Sequence, residues 1–186
     1  MSIHVHIVKE TELAKVESDL IVIALFEHSS LSASYFDQLN AACDNQLAYI
    51  LKDEQHLSKF KSTTFVHTLG QIKAKQILFV GAGEQEKYSH EKVRELAGRV
   101  TREALKNHKS SIVFCVESFI TDKVGMEKAV HALTEGSLLA THRVQHYKSS
   151  SREGAQLDQL AFYSSEEIEG LDVHIETAKA SQKERC

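Results

Sequence analysis

The stretch "ILFVGAGEQEKYSHEKVRELAG", residues 77–98, carries an apolar, β-favouring run through two glycines into a helical pattern. A strand-glycine-helix junction can hold a phosphate, because backbone N–H groups converge on an anion at a helix N-terminus. The details here are poor for that chemistry. A dinucleotide fingerprint needs glycine where Glu86 stands, and a P-loop needs a Gly-Lys-Ser/Thr ending that the chain lacks. Glu84 and Glu86 also put negative charge where a phosphate would sit. The plainer reading gives Gly81 and Gly83 a structural task, supplying backbone freedom at a turn.

Two pairs of histidines could ligate a metal. In "HRVQH", His142 and His146 stand one helical turn apart, the spacing of a zinc-protease helix. That motif carries a catalytic Glu directly after its first His, and here the position holds Arg143, a cation that repels metal and proton transfer alike. His4 and His6 lie at i and i+2 on one face of a strand, but no third ligand accompanies them, so a partly exposed strand face explains them. The three cysteines, Cys43, Cys115 and Cys186, are odd in number and far apart. They read as free thiols in a reducing compartment, with Cys115 inside the buried strand "SIVFCV". There is no Gly-x-Ser-x-Gly elbow, no Cys with an arguable His partner and no carboxylate pair in a glycine-rich loop. On spacing alone the chain therefore presents no catalytic, cofactor-binding or metal-binding residues.

A formal charge of -4 argues against a dedicated nucleic-acid surface, which needs clustered cations to displace counterions. The local patch Lys52, Lys59 and Lys61 is the one exception to weigh. No apolar run approaches the ~20 residues that span a bilayer, and "MSIHVHIVKE" has no basic region followed by an apolar stretch. A cytoplasmic protein without a membrane partner is expected.

The elements that must position these residues follow from hydrophobic period. "IHVHIV" (Ile3 to Val8) alternates like a half-buried strand, whereas "LIVIALF" (Leu20 to Phe26) is apolar throughout, like a central strand covered on both faces. The two read as sheet partners. Apolar positions at three- and four-residue steps predict one helix over Ser32 to Leu51. Strands follow at Thr63 to Leu69 and Gln76 to Gly81. Ser89 reads as the N-cap of a helix with Glu91 in its first turn, where the helix dipole favours an acid. A fifth strand spans Ser111 to Val116, a long helix covers about Lys123 to Lys148, and a last strand lies near Leu160 to Tyr163. This alternation implies an α/β fold with a mixed, mostly parallel sheet of about six strands flanked by helices. Residues 1–165 form one domain. Residues 166–186 form a charged tail in which "HIETAKASQKERC" starts a helix with no apolar face left to complete it.

Two stretches say more together. "ILFVGAGEQEKYSHEKVRELAGRVTREALKNHKSSIVFCV" resembles the strand, glycine turn, helix and strand of the N-terminal domain of leucyl aminopeptidases, the cytosol aminopeptidase family. "AVHALTEGSLLATHRVQHYKS" resembles that domain's last long helix, with Glu135, Gly136, Leu138, Leu139, Arg143, Tyr147 and Lys148 in the expected places. The resemblance implies a macro-domain-like fold. It also implies that the metal-dependent hydrolase and protease chemistry, with two divalent ions, zinc or manganese, belongs to a following C-terminal catalytic domain. The ligand motifs of that domain, similar to "FDSGG" and "NTDAEGR", do not occur here. The chain alone is then not an enzyme but an excised or stand-alone N-terminal domain. Residues 166–186 begin the linker towards that catalytic partner, and the parent family implies a homohexamer. The likeness to macro domains keeps a second expectation open, a stand-alone module binding ADP-ribose or a related nucleotide.

Overall fold

The structure, a computed structural model, describes residues 3–53, 55–147, 156–166 and 170–185. Cys186 and Lys148, both singled out above, lie outside the described residues. Six strands form one sheet in the order β1-β6-β5-β2-β4-β3. They are β1 (His4–Ile7), β2 (Leu20–Phe26), β3 (Thr63–His67), β4 (Gln76–Gly83), β5 (Ser111–Cys115) and β6 (Gln159–Tyr163). Every pairing is parallel except β3 with β4. The helices are α1 (Ser34–Ala42), α2 (Gln46–Asp53), α3 (His90–Lys106), α4 (Met126–Tyr147) and α5 (Leu171–Arg185).

The apolar strands take interior places because they bury both faces. Along β2, Leu20, Val22 and Ala24 enter the core under α3, α4 and α5, and Ile21, Ile23 and Leu25 enter the core under α1 and α2. The same alternation divides β4 into Leu78 and Val80 against Ile77 and Phe79, and β5 into Ile112 and Phe114 against Val113 and Cys115. Each such side chain contributes about 1.5–3 kcal/mol relative to exposure. Phe114 stacks on Phe162 at 6.1 Å and meets the edge of Phe119 at 5.7 Å, so the first layer is also aromatic.

Five expectations need correction. β1 pairs with β6 and not with β2, whose two edges are occupied by β4 and β5. A strand with histidines on one face belongs at an edge, and a strand apolar on both faces needs neighbours on both sides. The single helix over Ser32 to Leu51 is two helices. Asp44 (φ 55°) and Asn45 (φ 60°) turn left-handed between them, and the Asn40 side-chain oxygen accepts the Ala48 N–H at 2.9 Å, holding α2 against α1. β3 ends at His67, with Leu69 (φ 53°) already in the following turn. β4 continues through Gly83, so the glycines are part of the strand. Finally, α5 does have an apolar face: Leu171, Ile175 and Ala178 are buried, and the helix packs on α4. Among the described residues no helix is long and apolar enough to cross a membrane.

Candidate functional site

The local geometry of β4 decides the glycine question. The Gly81 N–H donates to the Ser62 carbonyl at 2.8 Å, and the Gly81 carbonyl accepts from Lys61 N–H at 2.9 Å. A Cβ on Gly81 would stand 1.8 Å from the Lys59 carbonyl oxygen, and one on Gly83 (φ 75°) would meet the Phe60 Cβ at 3.2 Å. Both glycines admit the close approach of the 58–62 backbone. The Gly81 amide is engaged in the sheet and points at no ligand. After Gly83 the chain passes a short 3-10 turn, Gln85–Lys87, before Ser89 caps α3 by accepting the Lys92 N–H at 3.4 Å. Glu84 pairs with Lys87 at 3.2 Å, and the Glu86 carbonyl accepts from Lys123 Nζ.

In each histidine pair one ring is exposed, His4 and His146, and the other half-buried, His6 and His142. The rings of His142 and His146 meet edge to face at 5.0 Å, and those of His4 and His6 stack at 4.6 Å. Among the described residues no group of three or more His, Cys, Asp or Glu is positioned to hold a metal ion. Cys43 and Cys115 are buried free thiols. Burial first, then the nearby Glu117 carboxylate, pushes the Cys115 thiol well above its ordinary range, and the Tyr35 hydroxyl lies against it. Burial likewise pushes the Tyr163 phenol up to about 12. Its hydroxyl donates to the Thr11 carbonyl at 2.8 Å. These groups are inert parts of the core beneath the feature that follows.

That feature is a cleft of about 1080 Å³ at the carboxyl ends of β2 and β5. Its position follows from topology. The connection leaving β2 runs to α1 on one face of the sheet, and the connection leaving β5 runs to α4 on the other, so the two part and leave a crevice. Leu25, Phe26, Leu31, Phe36, Leu51 and Leu57 supply its apolar lining. Its polar groups include Glu27, Glu117, Lys52, Lys59, His28, His56, Gln85 and serines from the 29–32 loop, Ser58 and Ser118. Ser118 itself is used internally: its hydroxyl accepts the Ala24 N–H at 2.9 Å and donates to the Cys115 carbonyl at 2.7 Å, fixing the end of β5 to β2. The Glu117 carboxylate accepts from the Ser165 N–H and hydroxyl. Of the lysine patch, Lys61 is paired with Glu95 at 3.2 Å, while Lys52 and Lys59 line the cleft.

On the other face of the sheet α3 and α4 pack closely beside a smaller pocket of about 450 Å³, lined by Arg94, His131, Glu135 and His174 among others. α3 and α4 cross where Gly136 has no side chain: a Cβ there would stand 2.3 Å from the Arg94 carbonyl oxygen and 2.9 Å from the Ala97 Cβ. The buried Glu135 carboxylate accepts from Arg94 at 3.2 Å and faces His131 Nδ1 at 3.5 Å, and Arg94 also binds Glu91. His174 of α5 reaches Glu127 of α4 at 3.6 Å. Glu135 and Gly136 thus form the seam between helices.

The sheet order and the two helix layers define a macrodomain-like α/β fold, shared with the Trypanosoma brucei macrodomain solved in complex with ADP-ribose. That structure is 17% identical with a TM-score of 0.62 over 95% of this chain and 69% of that one. The model of the cytosol aminopeptidase family, N-terminal domain, matches residues 22–151, and the chain belongs to that family. A tomato leucine aminopeptidase mutant has a TM-score of 0.74 at 16% identity over 98% of this chain and 36% of its own. The bottromycin maturation enzyme BotP, in complex with Mn, follows at 0.60 and 11% identity over 89% of this chain and 30% of its own. The chain thus spans about a third of the length of these two larger structures.

Proposed function

We propose that the chain is the non-catalytic N-terminal accessory domain of a metal-dependent leucyl aminopeptidase, an enzyme that removes N-terminal residues from peptides. The observation that carries this reading is the family match over residues 22–151 together with a fold likeness that runs the length of this chain and about a third of a leucine aminopeptidase. Peptide hydrolysis needs a barrier lowered by well over about 8 kcal/mol, and metal peptidases achieve this by polarising the carbonyl and activating a bound water. Hard-metal sites of that kind need carboxylates converging on one cavity. In this reading two divalent ions, zinc or manganese, sit in a C-terminal catalytic domain, and residues 1–165 contribute packing, assembly into a cytoplasmic homohexamer and control of access. Residues 166–186 lead towards that partner, with α5 held on α4 by Leu171 and Ile175.

The test joins the chain to a metal-bearing aminopeptidase catalytic domain and compares the joined protein with the catalytic domain alone. Sedimentation mass and leucine release from a leucyl anilide should both fall when the N-terminal part is removed, while metal content per catalytic domain stays the same. Equal mass and equal turnover with and without it would sink the accessory reading.

A second reading, a module binding ADP-ribose or a related nucleotide, is favoured by the position of the cleft at the strand ends and by the macrodomain fold. Against it stand the engaged Gly81 amide and the acids Glu84 and Glu86 that follow. Calorimetric titration of the chain with ADP-ribose should show nothing tighter than roughly millimolar, about -4 kcal/mol. Micromolar binding lost in Gly83→Val would establish the nucleotide module instead.

A further inference from the structure

We infer that the cleft at the carboxyl ends of β2 and β5 is a binding site for a short peptide with free termini and apolar side chains. Three observations converge on that ligand class. First, the cleft is bipolar. Its acids, Glu27 and Glu117, come from the ends of β2 and β5, and its lysines, Lys52 and Lys59, come from α2 and the segment over β4. Since β5, β2 and β4 lie side by side in that order, the acids follow β5 and β2 and Lys59 lies over β4, so the acids come from the β5 side of the cleft and Lys59 from the β4 side.

Second, three of these four charges are available. Among the described residues Glu27, Lys52 and Lys59 make no side-chain hydrogen bond or ion pair, and Glu117 is held in place by Ser165 while keeping its place in the lining. A peptide ammonium at the Glu27 and Glu117 end and a carboxylate at the lysine end satisfy both. A nucleotide diphosphate would satisfy the lysines alone, would face the two acids, and would find the Gly81 amide already engaged in the sheet. Third, the lining has a large apolar part, with Phe26, Leu31, Phe36 and Leu51 among its residues, and about 1080 Å³ is more than a single amino acid fills. Extended peptides of a few residues fit that combination.

This inference deepens the aminopeptidase reading, since it names peptides, the substrate class of the parent, as the ligand of a place in the accessory domain that does no chemistry. Its test is calorimetric titration of the full 186-residue chain with trileucine, N-acetyl-trileucine, trileucine amide and ADP-ribose. Trileucine is expected to bind, and blocking either terminus should weaken it about tenfold, the worth of one charge-assisted hydrogen bond. In Glu27→Gln the free and acetylated peptides should bind alike, and in Lys59→Gln the free and amidated peptides should do so. Both residues are on the cleft surface, and unchanged melting temperatures of the variants confirm that folding is not the cause. No heat with trileucine, indifference to both caps, or binding of ADP-ribose without trileucine would each overturn the inference. Turnover and assembly of the joined enzyme are read separately, so a silent cleft leaves the accessory role standing.

Discussion

The two faces of the sheet solve the same packing problem in opposite ways. Under α3, α4 and α5 the helices themselves meet: Gly136 lets two of them touch along their backbones, and Arg94, Glu135 and His131 line a smaller pocket beside the crossing, with Arg94 paired to Glu135. Under α1 and α2 the cover is broken by a left-handed turn at Asp44 and Asn45, and where it stops a polar cleft opens over the ends of β2 and β5. Glycine closes the first face and also closes the junction beside the second, since Gly81 and Gly83 admit the 58–62 segment against β4. The difference teaches that one face is packed helix on helix at a glycine, whereas the other leaves its larger opening at the strand ends.

The comparison can be broken most sharply at Gly81. Because the atom met at 1.8 Å is a backbone carbonyl that itself belongs to the paired 58–62 segment, Gly81→Ala must displace β4 or that segment. A loss of at least about 3 kcal/mol, read by denaturant melting, is expected. A neutral result would mean that the segment over β4 gives way freely. Gly136→Ala comes next. Helix propensity favours alanine by ~1 kcal/mol, but the approach of Arg94 and Ala97 should outweigh it and leave a net loss of about 1–2 kcal/mol. A raised melting temperature would show that the seam is looser than the distances imply. Glu135→Gln keeps the shape and removes the charge shared with Arg94 and His131, so a loss of about 1 kcal/mol is expected.

The smallest effect belongs to the part of the cleft-side face that no helix covers, where His6 lies. Burial first, then its neighbour His4, pushes the His6 imidazole below its ordinary 6.5, with the His4 backbone opposing. The unfolded chain therefore takes up that proton at higher pH than the folded one. The associated stability is complete above the unfolded value and is lost as pH falls from there through the folded one. His6→Gln should flatten the melting temperature against pH below about pH 6.5, and an unchanged slope would show that His6 does not report on folding.

Much of the fold was readable in the sequence because burial of both faces leaves a direct mark. The run "LIVIALF" marks a central strand, "QILFVG" marks a strand, and Ser89 is read as a cap from residue type alone. Four features were not readable. The break at Asp44 and Asn45 is hidden because Cys43 and Leu47 keep a four-residue step into the same core across the turn. The pairing of β1 with β6 joins segments more than 150 residues apart, and periodicity carries no partner information. The face of α5 rests on Leu171, Ile175 and Ala178 in an otherwise charged helix, too sparse a stripe to stand out. The cleft escaped for a related reason: its walls come from residues 24–36, 48–59 and 117–120, loops and element ends brought together only by the sheet order.

On the proposed reading, this domain supports peptide hydrolysis without performing it. That reading is tested most directly by metal analysis of the purified 186-residue chain combined with leucyl anilide turnover, before and after a chelator. The account predicts no stoichiometric zinc or manganese and no leucine release, with activity present only when a metal-bearing catalytic domain is joined to it. About one tightly held ion per chain, with turnover that the chelator abolishes, would contradict it and place the chemistry within this chain.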